Sequence, residues 1–189
     1  MIIIFLGPPG AGKGTQAVLL AEKYGLKHIA TGDIFRWHMQ NNTDLGKKIK
    51  KYLDRGELVP DDITIKIVEQ EIQKYKNTKG ILLDGFPRTL TQAKMLDEIL
   101  KNMNLKINLV LYLRVSKEEA ARRLLARGRH DDKPETIARR FEEYEEKTRP
   151  IREYYYERGI LVEVNGEQTI ENVHKDIIDI LKKRKLLML

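Results

Sequence analysis

Lys13 stands near the end of the run Gly7-Pro8-Pro9-Gly10-Ala11-Gly12-Lys13-Gly14-Thr15, in which four glycines surround one cation and lead to one hydroxyl. The run follows the apolar stretch Ile2-Ile3-Ile4-Phe5-Leu6 and opens onto a helical pattern, so strand, glycine-rich turn and helix start occur in the order that a phosphate-binding loop requires. Glycines let the backbone curl with its N–H groups pointing inward, and the helix start adds its positive pole. Together they make a cradle for a polyphosphate. Lys13 supplies a mobile point charge for the outer phosphates. One position departs from the usual loop, which closes Gly-Lys-Ser/Thr. Here Gly14 follows Lys13, and the hydroxyl arrives at Thr15.

A second constellation is Ile81-Leu82-Leu83-Asp84-Gly85-Phe86-Pro87-Arg88-Thr89-Leu90-Thr91-Gln92. An apolar strand that delivers an aspartate at its C-terminal end is the acidic partner of a phosphate loop, and Asp84 is expected to hold magnesium directly or through its water shell. Arginines form the third group. Arg123 and Arg127 are four apart and share a helix face. Ile137, Phe141 and Tyr144 mark a buried stripe, with Arg140 at its edge as a ligand candidate and Arg139 on the solvated far side. The four histidines, His28, His38, His130 and His174, show no metal-ligand spacing and no placement as a base. Trp37 and Tyr154-Tyr155-Tyr156 read as packing residues.

These residues need elements to hold them. Apolar runs bounded by turn signals predict strands at Ile2–Leu6, Ile81–Leu83, Leu109–Leu113 and Ile160–Val164, with a shorter one at His28–Ala30. Helical spacing joins Ala17, Leu20, Ala21 and Tyr24, with Gly25 as the stop. It recurs at Leu96, Ile99, Leu100 and Met103, at Ala121, Leu124 and Leu125, and at Ile170, Val173 and Ile177. Ser116 with Glu119 reads as a capping box. Strands that are apolar on both faces and alternate with helices predict a three-layer α/β/α fold of the P-loop type, with a five-stranded parallel sheet. Residues 30–59 read as an inserted helical flap, and 126–132 as a short charged hinge between helices. The core is then 1–29, 60–125 and 133–189.

At 189 residues the chain can bury one substantial core. The net charge of +7 comes from 35 basic against 28 acidic residues, and the abundance of both signs points to a lysine-rich exterior rather than a nucleic-acid surface. Lys182-Lys183-Arg184-Lys185 reads as a helix end, where cations face the negative pole. With no cysteine, neither a disulfide framework nor a thiolate zinc site is possible. No apolar run approaches a membrane span, and position 1 leads straight into a core strand. The expected location is therefore cytoplasmic.

The motifs GPPGAGKGTQ, Thr31-Gly32-Asp33-Ile34-Phe35-Arg36 and LLDGFPR with Gln four residues on resemble, in order, those of the adenylate kinase family. The GKGT ending is typical of nucleoside monophosphate kinases. The resemblance runs on through Arg127, Gly128-Arg129-His130-Asp131-Asp132, Arg140 and Val164-Asn165-Gly166, and it implies the reaction MgATP + AMP ⇌ 2 ADP. It further implies that Gly10, Ala11, Gly12, Lys13, Gly14 and Thr15 bind ATP phosphates, with Arg123, Arg127 and Gly166 also on the ATP side. Thr31, Arg36, Glu57, Leu58, Val59, Gly85, Phe86, Pro87, Arg88 and Gln92 would line the AMP pocket. Arg129 and Arg140 would reach the AMP phosphate and the transferring group. Lys13, Arg88, Arg127, Arg129 and Arg140 would be the catalytic cations.

Elementary chemistry agrees with a site of that kind. The second pKa of a phosphomonoester is ~6, so the attacking oxygen of AMP is largely deprotonated at neutral pH, and no general base is needed. Two polyanions forced together need fixed cations, and the planar fork of Arg holds phosphate oxygens bidentately. The amide of Gln92 offers a donor and an acceptor, matching N1 and N6 of adenine. Related UMP and CMP kinases tend to carry Asn there, which makes a UMP/CMP kinase the nearest alternative. A GTPase-type switch is disfavoured because no Asn-Lys-x-Asp motif occurs. The short hinge places the chain with short-lid members, without zinc. ATP, AMP and ADP are the expected partners, with no nucleic acid or membrane, and the chain is expected to act as a monomer.

Overall fold

The computed structural model describes residues 1–187. Five parallel strands, β1 (Ile2–Leu6), β2 (Lys27–Ala30), β3 (Ile81–Asp84), β4 (Leu109–Arg114) and β5 (Leu161–Asn165), pair in the order β2-β3-β1-β4-β5. The five-stranded parallel sheet expected from the apolar runs is the one observed, with every strand end within one residue of expectation. The strand order reverses at β1. In open α/β sheets such a reversal opens a crevice at the C-terminal strand ends, where the Gly7–Gly12 loop lies.

Alternation along the strands feeds two cores. Ile3 and Phe5 of β1, Leu82 of β3 and Leu109, Leu111 and Leu113 of β4 face one, against α1 (Lys13–Tyr24), α6 (Lys117–Arg127) and α9 (Ile170–Lys183). Ile2, Ile4, Leu6, Ile81, Leu83 and Val110 face the other, against α4 (Asp61–Tyr75), α5 (Leu90–Asn102) and α8 (Arg149–Glu157). Between β2 and α4, helices α2 (Thr31–Gln40) and α3 (Asp44–Asp54) form an excursion with its own small core of Phe35, Ile49 and Val59. Gly56, just after α3, touches α7 (Pro134–Glu143): a Cβ there would stand 2.7 Å from the Thr136 carbonyl oxygen. The connection from α6 to α7 is short. A π turn at Tyr144–Thr148 joins α7 to α8.

Several local expectations need correction. Leu125 and Ile170 are exposed, so the buried stripes of α6 and α9 run through Ala120 and Leu124 and through Val173, Ile177 and Leu181. Trp37 is 56 % exposed and Tyr156 is also exposed; of the tyrosine cluster only Tyr155 is fully buried. The capping box is half made. Ser116 Oγ accepts from the Glu119 N–H at 3.4 Å, but the Glu119 carboxylate turns to Arg122 and Arg123, and Glu167 accepts from the Ser116 N–H instead. The two arginines on the helix offer charge-assisted bonds stronger than a neutral backbone donor.

Candidate active site

The glycine loop is shaped by close neighbours. Gly10 adopts φ +84°, and a Cβ there would stand 2.3 Å from the Ala120 carbonyl oxygen of α6, so only glycine fits. At Gly12 that position is open space, and the φ of +91° rather than a neighbour favours glycine. Lys13 Nζ folds back over the loop and donates to the Gly7 and Pro8 carbonyl oxygens, both at 2.8 Å. Burial, with the charges of Arg88 and Arg127 and against that of Asp84, pushes the Lys13 ammonium down to about 8. Thr15 lies exposed on the first turn of α1. Behind it the buried Gln16 ties α1 to α9 through the Ile170 carbonyl at 2.9 Å.

Asp84, at the end of β3, brings its carboxylate to the loop. Its Oδ2 lies 3.3 Å from where a Gly14 Cβ would be. Burial alone would raise its pKa, but His28 and the charges of Lys13 and Arg88 outweigh burial and hold it below the usual carboxylate value. His28 Nε2 lies 3.6 Å from Asp84 Oδ2 and has no closer polar partner. The sequence offered no sign of this neighbour: parallel pairing of β2 with β3 sets His28 against the acidic group of the site.

On the far side of Asp84 three of the expected residues interlock. Thr31 Oγ1 donates to the Gly85 carbonyl oxygen at 2.9 Å, and Arg88 Nε donates to the same oxygen at 2.8 Å. Gly85 has φ +79°, and a side chain there would meet Thr31 Oγ1 at 2.7 Å. Phe86 and Pro87 are buried, joined by a cis peptide bond. Gln92 is 2 % exposed, and its amide already has in-chain partners in the Arg88 N–H and Asp61. Arg36 is ion-paired with Asp33. Val59 belongs to the small core beneath α2 and α3, and Leu58 is partly buried beside it. The charge of Glu57 is felt by Arg139, which lies outside the central cluster.

Above these groups, arginines from four segments converge. Burial, reinforced by the charges of Arg88, Arg127, Arg36 and Arg129, pushes Arg140 down to about 10. Arg88 is likewise lowered by burial and by Arg36, against Asp84. Asp132 organises the cluster. Its side chain has no exposed surface, and its carboxylate accepts from Arg127 Nε at 2.9 Å, Arg127 Nη2 at 2.7 Å, Arg140 Nη1 at 3.1 Å and the Arg129 N–H at 3.0 Å. Asp131 pairs with Arg140 as well. Sequence reading singled out the arginines and left these two carboxylates as hinge charge. Asp132 lies five residues from Arg127 and eight from Arg140, and Asp131 nine from Arg140, spacings that were the available signal. Arg139 lies outward with Glu142 and Glu143.

Arg123 and Gly166 lie at the other end of the loop. Arg123 Nη2 donates to the Gly166 carbonyl oxygen at 2.9 Å, and its Nε to Glu119 at 2.7 Å. A Cβ on Gly166 would lie 3.6 Å from the Ala11 carbonyl oxygen, so this pair borders the loop and not the arginine cluster.

The residues present fit a magnesium ion that travels with phosphates. Among the described residues no group of three or more His, Cys, Asp or Glu side chains forms a metal cage. Mg²⁺ is ordinarily held by one or two carboxylates, with substrate phosphates and water as its other ligands. An ionised Asp84 beside the loop is a donor of that type.

A parallel sheet of this order, with a phosphate loop at its switch point and arginines gathered from both sides of an acidic strand end, defines a P-loop phosphotransferase. A family model described as adenylate kinase matches residues 5–160. An adenylate kinase of Archaeoglobus fulgidus is 44 % identical over 216 aligned positions, covering 98 % of this chain and 100 % of the relative. An adenylate kinase of Flavobacterium psychrophilum is 44 % identical, covering 95 % and 97 %, and one of Nocardia farcinica is 45 % identical, covering 93 % and 96 %. The chain belongs to the adenylate kinase family. The archaeal alignment is longer than this chain, so that relative carries segments absent here.

Proposed function

We propose that the chain transfers the terminal phosphoryl group of MgATP reversibly to AMP, giving two ADP, with the glycine loop as donor site and the Thr31–Gln92 side as acceptor site. The observation that carries this reading is the meeting of both sides at Asp84, beneath arginines from four segments. Residues 30–59 act as the acceptor flap and 126–132 as a short lid.

The loop N–H groups and Lys13 hold the donor polyphosphate, with Arg123 and Gly166 beside its base. Arg36 and Arg88 hold the acceptor phosphate, while Thr31, Leu58, Val59 and Gln92 enclose its base. Asp84, together with the phosphates, would hold Mg²⁺, and the ion would supply neutralisation of the negative charge on the transferring group. An oxygen of the AMP phosphate forms a bond to the terminal phosphorus as the bond to the ADP leaving oxygen breaks. No proton changes hands, because the attacking oxygen is already ionised. Arg127, Arg129 and Arg140 stabilise the transferring group, and the carboxylate of Asp132 fixes the direction of two of those forks.

The test is an acceptor panel. Purified protein with MgATP and AMP, CMP or UMP in turn is expected to turn over AMP fastest. Faster conversion of CMP or UMP overturns the assignment of the acceptor base.

A further inference from the structure

Gln92 is buried, and its amide is already engaged by two neighbours of opposite character. Asp61, the first residue of α4, accepts from Gln92 Nε2 at 2.7 Å, and Gln92 Oε1 accepts from the Arg88 N–H at 2.7 Å. A carboxylate only accepts and a backbone N–H only donates, so a single orientation of the amide satisfies both. The Thr89 hydroxyl reinforces it. Its oxygen accepts from the Gln92 N–H at 3.1 Å, and its proton goes to Asp61, whose carboxylate oxygens lie 3.1 and 3.2 Å away. Turning the amide over would set Oε1 against the carboxylate and two N–H groups against each other.

We propose that Asp61 is a specificity-determining positioning residue, which fixes the direction of the Gln92 amide and with it the hydrogen-bond polarity offered to the acceptor base. The inference rests on the reading of Gln92 as the group that meets that base. After its in-chain bonds the amide keeps one N–H and one oxygen lone pair, and Asp61, together with the Arg88 N–H, decides which lies on which side. In the observed order they complement a 6-aminopurine, whose N1 accepts and whose N6 donates. A 6-oxopurine presents the reverse, an N1–H donor and an O6 acceptor. Asp61 thus selects between two purine monophosphates of nearly equal size and shape, without touching either.

Asp61→Asn keeps the shape and removes the carboxylate's share of the constraint, since an asparagine can turn its own amide to match a reversed Gln92, while the Arg88 N–H stays as it is. The readout is the ratio of kcat/KM for AMP to that for IMP, with MgATP as donor. The ratio is expected to fall about tenfold, the worth of one hydrogen bond that the reversed amide no longer forfeits. A parallel fall for both acceptors with the ratio unchanged is what a merely structural role gives, and it overturns the proposal. Gln92→Leu separates the two levels. If it leaves the ratio unchanged, Gln92 does not read the base, and both readings fall. If it collapses the ratio while Asp61→Asn does not move it, only the role of Asp61 fails. In the Gln92→Leu background, Asp61→Asn is expected to add nothing; a further change of ratio there also overturns the coupling.

Discussion

Replacing Asp132 with asparagine removes one buried charge and nearly nothing else. The carboxylate accepts four hydrogen bonds, three of them from the Arg127 and Arg140 side chains. Removing one member of a wholly buried ion pair costs about 3–5 kcal/mol, whereas an exposed pair is worth no more than about 1 kcal/mol. The present case lies between those limits. The Asp132 side chain is 0 % exposed, but that of Arg140 is 18 % and that of Arg127 36 %, so water screens part of the loss. The asparagine also keeps one acceptor. A loss of about 2 kcal/mol is expected, which at roughly 2–4 °C per kcal/mol lowers the melting temperature by about 4–8 °C. Activity should suffer more than stability. Two guanidinium forks lose the group that aims them, and a displacement of about 1 Å at a reacting centre costs on the order of 10²-fold, mainly in kcat. Circular-dichroism melting and a coupled assay with MgATP and AMP measure the two effects separately. A kcat within about threefold of the parent, alongside the expected drop in melting temperature, would refute the idea that Asp132 aims the arginines. An unchanged melting temperature would refute the burial argument.

Three further outcomes rest on the same geometry. Lys13 gives up its proton in the folded chain at about 8, against an ordinary 10.5, so its hold on a polyanion weakens as pH rises through that value. KM for MgATP should rise about tenfold per pH unit above 8, and a flat profile between pH 7 and 10 would sink this reading. The stability effect has the opposite sense: the unfolded chain holds the proton more tightly, so the Lys13 contribution to ligand-free stability rises with pH between about 8 and 10.5. Arg88→Ala should leave the fold intact, since the Arg88 backbone keeps its bonds to Gln92 and to Thr148, while turnover falls roughly 10²- to 10³-fold. Near-normal turnover would remove Arg88 from the catalytic set.

Much of this protein is local, and locally encoded features were legible from the chain. The loop from Gly7 to Thr15, the apolar strands and the aspartate at the end of β3 depend on residues within one or two turns of each other. Composition and spacing therefore suffice to place them. The α2–α3 excursion and the short α6–α7 connection were legible for the same reason. Element edges and exposed faces were less so. The hydrophobicity of Trp37, Leu125 and Ile170 suggests burial, yet among the described residues no neighbouring element covers them. A hydrophobic residue carries no record of which surface will meet it.

By itself, then, the sequence determined that a phosphate loop, an acidic strand end and a set of arginines exist, and on which elements they ride. Only the tertiary structure decided their partners. His28 meets Asp84 because β2 and β3 pair in a particular register. Asp61 meets Gln92 across 31 positions because α4 and α5 start side by side. Asp132 selects Arg127 and Arg140 because α7 turns back over α6. The physical reason is one of range. Backbone conformation answers to near neighbours in the chain, whereas a hydrogen bond or ion pair answers to a distance of about 3 Å in space, which packing alone sets.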